Sequence, residues 1–276
     1  MTKTVRYEVD GAVATITMDR PDMANALNTA LIDDLDRAFD EAGADDAVRV
    51  VVLAGAGKHF SSGHDLKELV SEPDEWARMR ETPEGKLRHE QVMYFDKCVQ
   101  IYDFRKPTIA AVQGSCVAAG LMLACMCDLI VAADDAVFSN PVLRMTGAAV
   151  ELLVEPWELG MRKAKEFLLT GDKIDAQEAW RLGLVNKVVP PDKLTAVARE
   201  LANKIALVPP VTAQAVKDSI NHTFELMGKG DSWKYHFMVH QFVSNTDTAR
   251  RALEERKKKG SMKEVFAERD KGAPPS

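Results

Sequence analysis

The sequence predicts an α/β fold that is built around a largely parallel sheet. Three apolar runs of strand length, residues 49–54, 107–112 and 128–133, are each bounded by small or polar loop residues. Helical patterns lie between these runs, and strands that alternate with helices in this way are typical of parallel sheets. The 276 residues suffice for one large domain with a smaller appendage.

The chain opens with a predicted β-hairpin. Asp10-Gly11 is a strong turn signal, and residues 13–18 alternate as a half-buried strand should. Thr29 then provides a helix cap. The apolar residues of this helix recur at helical spacing: Leu31, Leu35, Ala38 and Phe39.

Further helices are predicted along the rest of the chain. A long polar-rich helix over about residues 83–104 precedes the second apolar run, and a helix from Ala119 follows that run. Helical patterns dominate the last third, at 162–169, 176–182, 192–207, 211–227 and 246–259. We therefore predict a core over residues 1–200 and a helical region over residues 201–276.

Composition excludes several classes of protein. The net charge of −6 argues against a nucleic-acid partner, and no run of about 18 apolar residues is present to span a membrane. The N-terminus lacks the apolar stretch of a signal peptide. Four cysteines, at positions 98, 116, 125 and 127, lie among apolar neighbours and are expected to be reduced. These features predict a cytoplasmic protein.

Two loops are the predicted ligand site. Residues 58–67 follow the first apolar run and residues 113–121 follow the second, where ligands commonly meet the carboxyl ends of parallel strands. The second loop opens a helix, whose free N–H groups and dipole suit an oxyanion. The small residues would also serve tight packing of strands on helices, and either loop alone leaves both interpretations open.

The two loops resemble a known family. Residues 60–68, Phe-Ser-Ser-Gly-His-Asp-Leu-Lys-Glu, resemble the first oxyanion loop of the crotonase (enoyl-CoA hydratase/isomerase) superfamily, and residues 111–132 resemble its second. Segments 19–28 and 167–189 resemble other parts of the family, in the same order. The resemblance implies a spiral of ββα repeats, a C-terminal helical trimerisation region and an acyl-CoA substrate. It further implies a homotrimer or hexamer, with neither a metal nor a separate cofactor.

The resemblance also assigns site residues. The oxyanion donors are expected to be the backbone N–H groups of Ser61 and Ala119, which would stabilise the enolate of an acyl-CoA thioester. Losing one such donor costs about 3–4 kcal/mol in other enzymes. Asp65 is expected to cap the helix that it opens. Contacts with CoA are implied for the following residues: Arg20, Ala26, Leu27, Lys58, Phe60, Asp65 and Gly120.

The sequence departs from the family pattern at the proton-transferring residues. Enoyl-CoA hydratases use two glutamates, and the matching positions here hold Met122 and Val142. Glu151 is the first candidate for the catalytic base, against the alternative of an exposed glutamate at a helix start. His64 is the second, against a role in packing or CoA binding. His236 and His240 are four residues apart, and without a completing carboxylate arrangement we expect them to be structural.

Two functions follow from this pattern. The first is an acyl-CoA enzyme with rearranged acid–base residues, which would be an isomerase, a hydratase, a decarboxylase or a thioester hydrolase. The second is a catalytically silent acyl-CoA-binding protein, because Met122 and Val142 cannot carry a proton.

Overall fold

The computed structural model of the chain describes residues 4–70, 78, 81–145 and 147–259. Residues 260–276, the end of the predicted helical region, lie outside the described residues. Six strands form one sheet in the order β1-β2-β3-β4-β6-β9, and β5, β7 and β8 form a second. The strands are β1 (Val5–Asp10), β2 (Val13–Met18), β3 (Val50–Gly55), β4 (Thr108–Val112), β5 (Ser115–Val117), β6 (Leu129–Ala133), β7 (Val137–Ser139), β8 (Ile174–Asp175) and β9 (Lys187–Val189).

Helices connect the strands and follow them. Those before residue 150 are α1 (Thr29–Ala44), α2 (Leu66–Val70), α3 (Pro83–Glu90), α4 (Lys97–Tyr102) and α5 (Ala119–Cys125). Those after it are α6 (Glu155–Leu159), α7 (Met161–Thr170), α8 (Ala176–Leu182), α9 (Leu194–Ala206), α10 (Pro210–Leu226), α11 (Lys229–Ser244) and α12 (Asp247–Lys259).

The predicted α/β class is confirmed. Every neighbouring pair in the six-stranded sheet is parallel except the β1–β2 hairpin. Both faces of this sheet are covered, as β3 shows: Val51 and Leu53 belong to the main core, whereas Val50 and Val52 pack with Ala198 of α9. Burial on both faces explains why the strands appear in the sequence as continuous apolar runs.

Two parts of the fold differ from the predictions. The helix expected over 83–104 is divided into α3 and α4 by a π-helical turn, Gln91–Asp96. The helix α11 was not predicted, and its Trp233 and Phe237 are buried. The boundary at residue 200 stays a prediction, since α9 spans that position and packs on the sheet. None of the described helices is long and apolar enough to cross a membrane.

Candidate functional site

The two predicted ligand loops lie side by side beyond the carboxyl ends of β3 and β4. The Ser61 N–H donates to the Ser115 carbonyl oxygen at 3.1 Å, and the Val117 N–H donates to the Ser61 carbonyl oxygen at 3.0 Å. The Phe60 N–H donates to the Gln113 carbonyl oxygen at 2.8 Å. These bonds continue the parallel pairing beyond the sheet and bring the loops together.

Two glycines allow this close approach. A Cβ atom on Gly63 would lie 2.8 Å from the Val117 carbonyl oxygen and 3.3 Å from the Ala119 amide nitrogen. A Cβ atom on Gly120 would lie 2.7 Å from the Ser61 carbonyl oxygen. Gly63 also has a φ of +87°, which side chains disfavour. The first turn of α5 therefore stands directly against the first loop.

The hydrogen bonds correct one predicted oxyanion donor. Because the Ser61 N–H already donates to Ser115, it is not free to bind a ligand. The Ser61 hydroxyl is also engaged, since it donates to the Asn25 carbonyl oxygen at 2.9 Å. Ser61 is fully buried and joins the loops rather than facing a substrate.

The N–H groups of His64 and Ala119 remain without acceptors among the described residues. The bridge between Leu27 and His64 uses the neighbouring Gly63 carbonyl and Asp65 N–H, and leaves the His64 N–H unpaired. Ala119 is the first residue of α5, where helix geometry provides no intrahelical acceptor. The Ala119 nitrogen lies 3.3 Å from the position that a Cβ atom on Gly63 would occupy, and His64 is the next residue, so the two N–H groups lie in one region.

Glu151, the first candidate for the base, lies against His64. The Nε2 atom of His64 is 3.1 Å and 3.0 Å from the two carboxylate oxygens of Glu151. Glu151 is 3% exposed and lies outside the helices. The alternative of an exposed glutamate at a helix start is therefore wrong. The structure brings the two candidate proton carriers together from positions 87 residues apart.

The charges of this pair depend on each other. Burial alone would raise the pKa of Glu151, but the charge and hydrogen bond of His64 lower that pKa to about 2. Burial alone would lower the pKa of His64, and the Glu151 carboxylate raises it instead. The pair is thus an ion pair in which Nε2–H of His64 donates to Glu151. The Nδ1 atom of His64 is buried and has no partner among the described residues.

A cavity of about 250 Å³ opens beside His64. The Tyr94 ring contacts the His64 ring at a tilt of 43°, with 4.2 Å between ring centroids. Met122 also faces this cavity, with an apolar side chain. Glu151 is not part of the described wall, so His64 separates the carboxylate from the cavity. The remaining wall is mostly apolar and includes Leu27, Leu35, Met93, Ile101 and Phe104.

A second histidine–glutamate pair lies behind Glu151. The Nε2 atom of His240 is 3.2 Å from an oxygen of Glu90, and its Nδ1 atom is 3.1 Å from the Ala149 carbonyl oxygen. Ligand atoms of Glu90, Glu151 and His240 lie within 4.8 Å of one another, a spacing that suits a metal ion. Both ring nitrogens of His240 already face acceptors, however, and neither offers a metal a free lone pair. The expected lack of a metal stays a prediction.

The predicted CoA contacts have structural partners of their own. An Nη2–H of Arg20 donates to Asp65 at 2.9 Å, and the Arg20 guanidinium also bonds the Ala26 carbonyl oxygen. Asp65 accepts the Lys67 N–H at 3.0 Å, which confirms that it caps α2. Leu27 pairs through its N–H and carbonyl with the first loop and faces the cavity. These contacts tie segment 20–27 to the first loop.

The other predicted CoA residues differ in exposure. Lys58 is exposed at the start of the first loop, whereas Phe60 and Gly120 are buried. The N–H of Phe60 donates to the Gln113 carbonyl oxygen. Binding of CoA by Arg20 and by the others stays a prediction.

Sequence reasoning missed several residues around Glu151. Glu90, Tyr94 and the carbonyl-binding role of His236 were not recognised. The helical pattern predicted one helix over residues 83–104, but a π turn over residues 91–96 separates Glu90 from the rest of that helix. The spacing of His236 and His240 was a visible signal, and it indicated a structural role.

Fold and site together define a crotonase-like protein: a spiral of strands and helices, two joined loops beside an apolar cavity, and a helical C-terminal region. A family model described as enoyl-CoA hydratase/isomerase matches residues 8–268. The chain belongs to this family.

Individual relatives agree with this assignment. A Mycobacterium tuberculosis protein provisionally named enoyl-CoA hydratase EchA13 is 43% identical over 252 residues, which are 86% of this chain and 79% of that protein. The crystal structure of a probable enoyl-CoA hydratase from Mycobacterium smegmatis has a TM-score of 0.81 at 43% identity, and covers 88% of this chain and 94% of its own. An enoyl-CoA hydratase/isomerase structure from Xanthobacter autotrophicus Py2 has a TM-score of 0.86 at 32% identity, with 99% of both chains covered.

Proposed function

We propose that the chain is an enzyme that acts on an acyl-CoA thioester through an enolate, with His64 and Glu151 as its proton-transferring pair. The observation that carries the proposal is the buried His64–Glu151 ion pair beside a cavity, next to two unpaired backbone N–H groups. Family membership supplies the class of reaction, and the arrangement of these groups supplies the mechanism.

The N–H groups of His64 and Ala119 are the oxyanion donors in this mechanism. Two backbone N–H groups directed at one thioester oxygen stabilise the negative charge that develops when the α-carbon loses its proton. In this assignment His64 replaces Ser61, because the Ser61 N–H is bonded to Ser115.

His64 accepts and returns the proton in this mechanism, and the Glu151 carboxylate stabilises the protonated ring. The imidazolium of the ion pair must first lose its Nδ1 proton; Nε2–H then stays directed at Glu151, and the Nδ1 lone pair of the neutral ring can accept the α-proton of the substrate. The Glu151 carboxylate then stabilises the imidazolium that forms. Returning the proton to the γ-carbon would move a double bond without adding water.

This machinery favours isomerisation over hydration. Hydration requires one group to activate water and another to protonate the α-carbon, and Met122 and Val142 supply neither. Met122 also faces the cavity with an apolar side chain, which leaves little polar support for a catalytic water. The same observation favours the second candidate function, a silent acyl-CoA-binding protein.

The test is proton exchange in D₂O with a panel of enoyl-CoA and acyl-CoA thioesters, read by mass spectrometry. The wild-type protein should introduce deuterium at the α- or γ-carbon. The variant His64→Gln keeps the backbone donor and an amide near Glu151 but has no titratable ring. It should bind the same thioester within about threefold of wild type and lose exchange by at least about 100-fold.

Two outcomes would contradict this mechanism. Exchange at the wild-type rate in His64→Gln would exclude the histidine as the proton carrier. Thioester binding without exchange or product in the wild-type protein would establish the silent binding protein instead. Calorimetric titration with a non-reactive acyl-CoA measures thioester binding by the wild-type protein and by His64→Gln.

A homotrimer or hexamer is part of the proposal. Helix α10 exposes Val211, Val216 and Ile220, which would be covered by another copy of the chain. Sedimentation equilibrium should give a mass of three or six chains, and a monomer would contradict this part of the proposal.

A further inference from the structure

Glu151 lies in a segment that regular secondary structure does not hold. Residues 147–154 belong neither to a helix nor to a strand. Ala149, two residues before Glu151, has a φ of +64°, a conformation that costs free energy for a residue with a side chain. Such a conformation persists only where neighbouring groups enforce it, so the direction of the Glu151 side chain depends on contacts from elsewhere.

Two histidines of α11 supply those contacts. The Nε2–H of His236 donates to the Val150 carbonyl oxygen at 2.9 Å, and the Nδ1–H of His240 donates to the Ala149 carbonyl oxygen at 3.1 Å. The histidines are four residues apart and therefore lie on one face of the helix. They bind two consecutive carbonyl groups directly before Glu151 in this segment.

The His240 ring is itself held by charge. Its Nε2 atom lies 3.2 Å from Glu90, and the same Glu90 oxygen accepts a 2.5 Å bond from Gln241. Lys86 is 3.6 Å from the other Glu90 oxygen. Because both ring nitrogens face acceptors, His240 is an imidazolium. Burial opposes this charge, but the hydrogen bond to Glu90 raises the pKa of His240.

His236 differs from His240 in charge. Its burial lowers its pKa, so the ring is neutral near pH 7 and donates from Nε2 alone. Replacing His236 therefore removes a hydrogen bond without removing a charge from the neighbourhood of His64. A substitution at His236 therefore tests the hydrogen bond separately from any change in charge.

We propose that His236 and His240 are positioning residues, which hold Glu151 against His64 by binding the carbonyl groups of Val150 and Ala149. The catalytic consequence of this proposal rests on the function proposed above, in which His64 and Glu151 transfer the proton. Helix α11 would then orient that pair. Its structural content, the aim of Glu151 at His64, can be measured without any substrate.

The experiment measures the pKa of His64 by NMR of the histidine rings, of which the chain has six. In wild type this pKa should lie above the ordinary histidine value because Glu151 is adjacent. His236→Leu should lower the pKa of His64 towards the ordinary value. His236→Gln, whose amide can replace the Nε2–H donor, should leave it within about 0.3 pH units of wild type.

Exchange kinetics provide the second measurement. His236→Leu should lower kcat for α-proton exchange about tenfold to 100-fold with KM within about twofold, because a small misplacement of a catalytic group reduces the chemical step. His236→Gln should restore kcat to within about threefold. If His236→Leu does not fold, His236→Asn is used, since its shorter amide falls short of the Val150 carbonyl.

The outcomes separate this inference from the proposed function. An unchanged His64 pKa in a folded His236→Leu or His236→Asn protein overturns the positioning role, whatever the activity. A lowered His64 pKa in a protein whose wild type exchanges no proton supports the positioning role and overturns the proposed function. Equal loss of kcat in His236→Leu and His236→Gln would also contradict the inference.

Discussion

The pKa values of two buried glutamates, Glu151 and Glu155, shift in opposite directions although the residues are only four positions apart in sequence. Glu151 is 3% exposed and Glu155 is 1% exposed. The pKa of Glu151 is lowered to about 2 despite burial, because His64 carries the compensating charge. Burial raises the pKa of Glu155, whose 2.6 Å partner is the uncharged amide of Asn140.

The partner therefore decides the charge of a buried carboxyl group. A cationic ring compensates for lost hydration of the carboxylate, whereas one amide hydrogen bond compensates only in part. An ionised carboxylate held against a histidine can support proton transfer. A carboxyl group that favours its neutral form serves as a polar packing element. The two segments thus differ in chemistry rather than in burial.

The largest expected difference is in catalysis. Glu151→Gln should lower the rate of α-proton exchange by about 100-fold or more, because the imidazolium of His64 loses its counter-charge. Glu155→Gln keeps an acceptor for Asn140 and should stay within about threefold of wild type. Exchange rates in D₂O, with folding checked by circular dichroism, test both. Equal losses in the two variants would break the contrast between the glutamates.

The next effect is on the pH dependence of exchange. His64 must be neutral to accept a proton, so exchange should rise with pH through a midpoint above the ordinary histidine pKa, because Glu151 raises the pKa of His64. In Glu151→Gln the residual exchange should have a midpoint lower by about one pH unit or more. Profiles of kcat/KM between about pH 5 and 9 measure the shift. A midpoint that does not move would exclude the pairing as the cause.

A smaller effect concerns stability, and its sign differs between the two sites. Because the pKa of Glu151 is lowered, its ionisation stabilises the fold at pH values above the ordinary glutamate pKa. This stabilisation is lost as pH falls towards about 2. Glu151→Gln should therefore cost about 3 kcal/mol at pH 7 and less in acid.

Glu155 should behave in the opposite way. Its raised pKa stabilises the fold while the carboxyl is protonated, and this contribution is lost as pH rises through the raised value. Glu155→Gln should gain stability relative to wild type as pH rises. Urea unfolding of both variants across pH measures the two trends, and parallel trends would contradict the assignment of charges.

The smallest effect is expected at an exposed glutamate. Glu166 is 62% exposed at its side chain and pairs with Lys163 one turn away. Glu166→Gln should change the free energy of unfolding by less than about 0.5 kcal/mol and leave exchange unchanged. A larger effect would indicate that changes in charge act on this fold irrespective of burial.

The sequence was sufficient for the sheet and for the two loops, because continuous apolar runs and small residues are local signals. It assigned an oxyanion donor to Ser61, whose N–H is bonded to Ser115, whereas the N–H without an acceptor among the described residues belongs to His64, three positions later. The direction of an N–H group depends on bridges such as Ser61–Cys116 and Leu27–His64, which join distant segments. The pairing of Glu151 with His64 could not be predicted either, because it joins distant segments. The same holds for the bond between Glu90 and His240, which are 150 residues apart.

The π turn at residues 91–96 sets the angular phase between α3 and α4. Glu90 precedes this turn and faces His240, while Met93 and Tyr94 within it line the cavity beside His64. Deleting one residue of the turn would restore ordinary α-helical winding and rotate α4 by about 100° relative to α3. One surplus residue therefore lets Glu90 face His240 while Met93 and Tyr94 line the cavity beside His64.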